Sequence, residues 1–126
     1  YRGYELVLLA NPSRGNMEIL YEKEGAYSFS PEGDVLEEFA NKVFSKEESK
    51  RFFRFLQKNK KIKESEFAKE DFFLATDQKK RQIVLMVSLK PSELEQKGNI
   101  LVSIRKIYKD SIASLIQKSL LEKREG

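Results

Sequence analysis

Asn99 to Ile104 reads NILVSI, and the fold turns on how this stretch is taken. Ile100, Val102 and Ile104 are β-branched and alternate, which favours an extended strand with one apolar face. Yet Ile100/Leu101, Ile104, Ile107/Tyr108, Ile112, Leu115/Ile116 and Leu120 also recur at helical spacing to the end of the chain. On one reading NILVSI is a strand; on the other it opens a long terminal helix. Both readings predict helix from Ile107 to Lys123.

The preceding segments are easier to read. Phe72 to Thr76 (FFLAT) and Gln82 to Leu89 (QIVLMVSL) bracket Asp77-Gln78-Lys79-Lys80-Arg81, which predicts a hairpin with a cationic tip. Lys90-Pro91-Ser92 is expected to end its second strand, and Ser92 with Glu95 has the spacing of a helix capping box. At the other end of the chain, Tyr4 to Ala10 (YELVLLA) predicts a strand closed by the turn formers Asn11 to Asn16. Met17 to Lys23 alternates like a half-buried strand, Glu24-Gly25 supplies a turn, and Ala26 to Ser30 is expected to return as a third strand.

Between meander and hairpin lie two helices. Asp34 with Glu37, and Ser45 with Glu48, form two capping boxes eleven residues apart, which predicts consecutive helices rather than one kinked one. The second is expected to end near Asn59, with residues 60–71 a linker or a short helical turn. The expectation is one small α+β domain over residues 1–126. An antiparallel sheet of four to five strands, the N-terminal meander plus the central hairpin, would be covered on one face by the two middle helices and the long C-terminal helix. In element order alone this resembles small ββα-ββ-α scaffolds such as longin or roadblock domains. No motif is shared, so the resemblance implies no activity.

Composition narrows function by exclusion. The 126 residues include no Cys and no His. That removes disulfides, thiolate nucleophiles, imidazole bases and the common zinc, copper and haem ligands. No catalytic residue, metal ligand or cofactor is assigned, and an enzyme would have to rest on carboxylates, Lys, Tyr or Ser. A nuclease-like acid–acid–Lys arrangement across the hairpin fails at Ser88, where its second acid should stand. No GxGxxG or GxxxxGK[ST] occurs, and Arg14-Gly15 reads as ordinary turn chemistry. The longest apolar run, Ile83 to Val87, falls far short of the roughly 20 residues that span a bilayer. A chain opening on Tyr1 without a signal peptide is expected to be part of a larger protein, with a cytoplasmic setting favoured.

Charge supplies the positive signal. Residues 50–63, KRFFRFLQKNKKIK, carry seven cations and no acid, more than the net +4 of the whole chain. Residues 1–49 hold five cations against ten acids, and residues 64–126 twelve against ten. On a helical projection the Phe52, Phe53, Phe55 and Leu56 side chains span about 160°, with Phe55 at the edge and the most exposed. Lys50, Arg51, Arg54 and Lys58 project together on the opposite side, extended in sequence by Lys60, Lys61 and Lys63. Lys79, Lys80 and Arg81 at the hairpin tip form a second cationic spot. One use of such a face is merely to stay solvated. The functional reading is a non-enzymatic interaction or regulatory domain that docks on an acidic protein surface through residues 50–63. Sequence-nonspecific binding of nucleic acid by the same face is the alternative, an anionic membrane is a further polyanion to consider, and a carboxylate- or Lys-dependent enzyme ranks last. The basic residues cluster at the C-terminal end of their helix, which argues against a base-reading helix-turn-helix. The Ile112, Leu115, Ile116, Leu120 stripe would pack on the sheet or against a second copy of the chain.

Overall fold

The structure, a computed structural model, describes residues 3–11, 16–23, 29, 34–59, 68–92, 99–107 and 110–125. In chain order its elements are β1 (Tyr4–Asn11), β2 (Asn16–Glu22), α1 (Val35–Val43), α2 (Lys46–Lys58), β3 (Lys69–Thr76), β4 (Gln82–Ser92), β5 (Asn99–Lys106) and α3 (Asp110–Glu125). The strands form one antiparallel sheet in the order β2-β1-β5-β4-β3. The α+β class therefore holds.

NILVSI is a strand, and a central one. β5 lies between β1 and β4, with Val102 opposite Leu8 on one side and Leu89 on the other. Ladders on both edges satisfy its backbone, and Ile100, Val102 and Ile104 are all buried. The helical spacing is a coincidence of periods: Ile100 and Ile104 are two steps of a strand as well as one helical turn apart. Ile107, expected to open the helix, instead donates its N–H to the Val84 carbonyl at 3.0 Å, and α3 is described from Asp110.

The capping boxes mark the helix starts correctly. The Asp34 carboxylate accepts the N–H groups of Leu36 at 3.0 Å and Glu37 at 3.2 Å. Ser45 Oγ accepts the Glu48 N–H at 3.2 Å. Helix α1 ends at Phe44, whose N–H still reaches the Ala40 carbonyl, so α1 and α2 are consecutive and not one kinked rod. The Asn59 side chain closes α2 on the Phe55 carbonyl at 2.9 Å.

Strand alternation sorts the core onto two faces. Leu6, Leu8, Phe73, Ala75, Leu85, Val87 and Leu89 pack with Leu36, Phe39, Ala40, Val43, Phe44 and Phe52 of the α1–α2 unit. Their neighbours Leu74 and Val84 point to the opposite face and meet Leu120, with Ile116, Phe72 and Ile107 packed alongside. The helices thus cover both faces, not one as expected. The reason is visible in β3 and β4, which are apolar at successive positions (Phe72, Phe73, Leu74; Ile83, Val84, Leu85) and leave no polar face for water.

Other boundaries also move. β3 starts at Lys69, inside the stretch expected to be a linker, because Lys69 to Asp71 continue the ladder with Val87 to Leu89. β4 runs on through Pro91 to Ser92, whose partner is Asn99, and the helix that a Ser92 cap would open falls outside the described residues. Glu95 and residues 60–67 lie outside the described residues, as does the expected third strand at Ala26–Ser30 apart from Phe29.

Candidate functional site

Helix α2 does two jobs on two sides. Its inner side carries a buried acid, Glu48, only 4% exposed. Glu48 Oε2 accepts the Leu74 N–H at 2.7 Å, and Oε1 accepts from Arg51 Nε at 3.2 Å. Arg51 continues outward: one terminal nitrogen donates to Asp71 Oδ2 at 2.9 Å, the other to the Phe72 carbonyl, and its guanidinium lies 4.1 Å from the Phe73 ring centre. Asp71 Oδ1 takes the Phe72 N–H at 2.8 Å. β3 ends the sheet order and pairs with β4 alone. The Glu48–Arg51–Asp71 clasp therefore occupies hydrogen-bonding groups on Phe72 and Leu74 that a further strand would use. Of the cations predicted on the α2 face, Arg51 is thus engaged with the sheet.

The outer side is a row. Lys46, Lys50, Arg54 and Lys58 follow one another at four-residue spacing, about 6 Å per step along the axis. None of them has an ion-pair partner among the described residues, and Glu47 beside the first turn makes none with them. Neighbouring like charges at this spacing on a helix are mutually unfavourable. The row borders an open groove of about 670 Å³ between the end of α1 and α2. Lys46, Lys50 and Arg54 line it together with Phe44 and Phe53. Phe53 is half-buried and meets Phe52 edge-on at 5.3 Å; Phe55, the aromatic expected at the exposed edge, is turned onto Phe73 at 5.9 Å. Phe53 therefore joins Phe44 on the groove, and Phe55, equally half-buried, does not line it. Lys60, Lys61 and Lys63 lie outside the described residues.

The hairpin tip goes elsewhere. Asp77 Oδ1 accepts the N–H groups of Lys79 at 2.9 Å and Arg81 at 2.8 Å, and Oδ2 pairs with Arg81 Nε at 2.9 Å. Lys80 takes a left-handed φ of 61°, the conformation that lets a short loop rejoin its strands. The Arg81 N–H, opposed by partial burial and aided by the Arg81 guanidinium and the Lys79 N–H, holds the Asp77 carboxyl below its ordinary 3.8. Arg81 is thus neutralised locally, while Lys79 and Lys80 are exposed.

Lys79 and Arg81 border a second recess, a cleft of about 480 Å³ lined also by Lys23, Lys42, Lys106 and Glu5. The α1–α2 junction contributes to both recesses, Asn41 and Phe44 to the groove and Lys42 and Val43 to the cleft. The tip cations accordingly join Lys42 rather than the Lys50–Arg54 row.

Sequence reasoning missed Lys46, although the four-residue period that links Lys50, Arg54 and Lys58 extends back to it. It also missed Glu5, Lys23, Lys42 and Lys106, which come from four different elements or their ends. Only Glu5, a lone acid in the apolar run YELVLLA, left a readable trace. Among the described residues no group of three or more acids could hold a metal ion, and no helix is long and apolar enough to cross a membrane. On α3, Ile116 and Leu120 face the sheet while Leu115 is 69% exposed.

The chain matches no protein-family model, no curated protein and no solved structure.

Proposed function

We propose that this protein is a non-enzymatic interaction domain whose α1–α2 groove receives an acidic, partly apolar peptide segment of a partner protein. The observation that carries the reading is the row Lys46–Lys50–Arg54–Lys58, without ion-pair partners among the described residues and running beside a floor of Phe44 and Phe53. Acids at alternate positions of an extended peptide recur about every 6.7 Å, close to the roughly 6 Å step of the row. An acidic helix presents the same period at four-residue spacing. The apolar floor favours a protein segment over a nucleic acid. Phe53 is half-buried and Phe44 buried, a floor that suits an aliphatic or aromatic anchor side chain.

The test is fluorescence anisotropy with an extended peptide bearing acids at alternate positions around one Phe. A single-stranded oligonucleotide of equal charge is the comparison. The expected result is peptide binding that weakens with salt and falls at least about tenfold in the Lys50→Glu/Arg54→Glu variant. Replacing the peptide Phe with Ser should also weaken it. An oligonucleotide that binds more tightly than the peptide would move the assignment to nucleic acid. Peptide binding unchanged by the double charge reversal would remove the groove as the site.

A further inference from the structure

The α1–α2 groove sets its cations beside its apolar floor rather than beyond it. On α2, Lys50 and Arg54 are one four-residue step apart, and Phe53 stands at a level between them. A helical projection puts Phe53 about 60° round the axis from Lys50 and about 100° from Arg54. All three line the groove, and Phe44, the C-cap of α1, completes the floor. Phe53 is half-buried, while Lys50 and Arg54 are exposed. Neither cation has an ion-pair partner among the described residues.

This arrangement discriminates between ligand side chains. Consecutive side chains of an extended peptide point to opposite faces, so a Phe and the acid next to it cannot both enter the groove. An acid two positions away can enter, but it meets the row about 6.7 Å along from the ring instead of beside it. A single side chain that reaches from floor to row must carry an apolar body with a charged end. Asp and Glu have the charge and little body; Phe has the body and no charge. Phosphotyrosine has both, an aromatic ring ending in a group of about two negative charges. Two charges also match the pair Lys50 and Arg54, where a carboxylate supplies one. The planar fork of the Arg54 guanidinium suits two phosphate oxygens at once.

Given a groove that receives a partner's peptide, we infer that the central side chain of that peptide is a phosphotyrosine. Its ring lies on Phe53 and Phe44, and its phosphate is held by Lys50 and Arg54. Lys46 and Lys58 remain for acids elsewhere in the peptide. A kinase acting on the partner therefore tightens docking, and a phosphatase loosens it.

The experiment titrates four peptides into the whole protein by fluorescence anisotropy and calorimetry. They share acids at alternate positions and differ in one central residue: Phe, Tyr, phosphotyrosine or phosphoserine. The expected result is that phosphotyrosine binds about tenfold more tightly than Phe or Tyr. Phosphoserine lacks the ring and should bind at least about fivefold more weakly than phosphotyrosine. Arg54→Lys keeps the charge but not the fork and should cut the phosphotyrosine advantage to about threefold. Lys50→Ala/Arg54→Ala alters exposed side chains only and should abolish that advantage. If the Phe peptide binds and phosphotyrosine binds no more tightly, the inference is overturned and the docking reading stands. Phosphoserine binding as tightly as phosphotyrosine would overturn it too, because the ring would contribute nothing. So would a phosphotyrosine advantage that survives Lys50→Ala/Arg54→Ala. Binding by none of the four would remove both the inference and the docking reading.

Discussion

Replacing Glu48 with Ala removes the buried acid that ties α2 to the open edge of β3. The interactions lost include a 2.7 Å charge-assisted bond from the Leu74 N–H and a 3.2 Å contact from Arg51 Nε. The first is the larger. Leu74 is buried, so its N–H would be left without a partner at a cost of about 1–3 kcal/mol. The second is smaller, because the Arg51 side chain is 28% exposed and keeps Asp71 and the Phe72 carbonyl. Ala is the better helix former, which returns a few tenths of a kcal/mol. The expected net loss is about 2 kcal/mol, or about 8 °C in melting temperature for a domain of this size. Urea unfolding followed by circular dichroism measures it. Glu48→Gln keeps an acceptor for Leu74 and should lose about half as much. Glu47→Ala, one residue away and exposed, should change stability by no more than about 0.5 kcal/mol. A loss below about 1 kcal/mol for Glu48→Ala would show that the clasp behaves as a surface ion pair, and the reasoning would fail. Opening the clasp also frees the β3 edge, so Glu48→Ala should self-associate with rising concentration in analytical ultracentrifugation.

Arg54→Glu replaces two repulsive four-residue neighbours, Lys50 and Lys58, by two attractive ones. It should raise stability by about 1 kcal/mol while weakening peptide binding, and a loss of stability would mean that Arg54 supports the fold. Asp77 is held below its ordinary value when folded, so it contributes stability above pH 3.8 that is lost as pH falls through its folded value. Asp77→Ala should therefore be less stable than the unaltered protein at pH 6 and should converge with it as the solution is acidified; parallel pH–stability curves would refute this. Phe73 is fully buried, meets Phe44, Phe52 and Phe55 ring to ring and lies under Arg51. Phe73→Ala should cost about 4 kcal/mol in denaturant unfolding, and a cost near 1 kcal/mol would contradict the packing described.

The sequence by itself determined what depends on near neighbours. Helix starts at Asp34 and Ser45 were legible because a cap is a contact across three residues, and the β3–β4 hairpin because Asp77 to Arg81 is a turn-forming break between two apolar runs. The absence of Cys and His, and the concentration of charge in residues 50–63, needed no structure at all. The tertiary structure decided what depends on distant partners. Asn99 to Ile104 satisfies two periods at once, and only the ladders offered by β1 and β4 select the strand. Arg51 looks like its neighbours Lys50 and Arg54 in sequence, yet the arrival of β3 beneath α2 turns it into part of an edge clasp. The cleft around Glu5 was invisible for the same reason, since a bulge and the ends of several elements assemble it. Local chemistry names the elements, but burial and pairing across the chain choose between equal local options and decide which charges are left exposed.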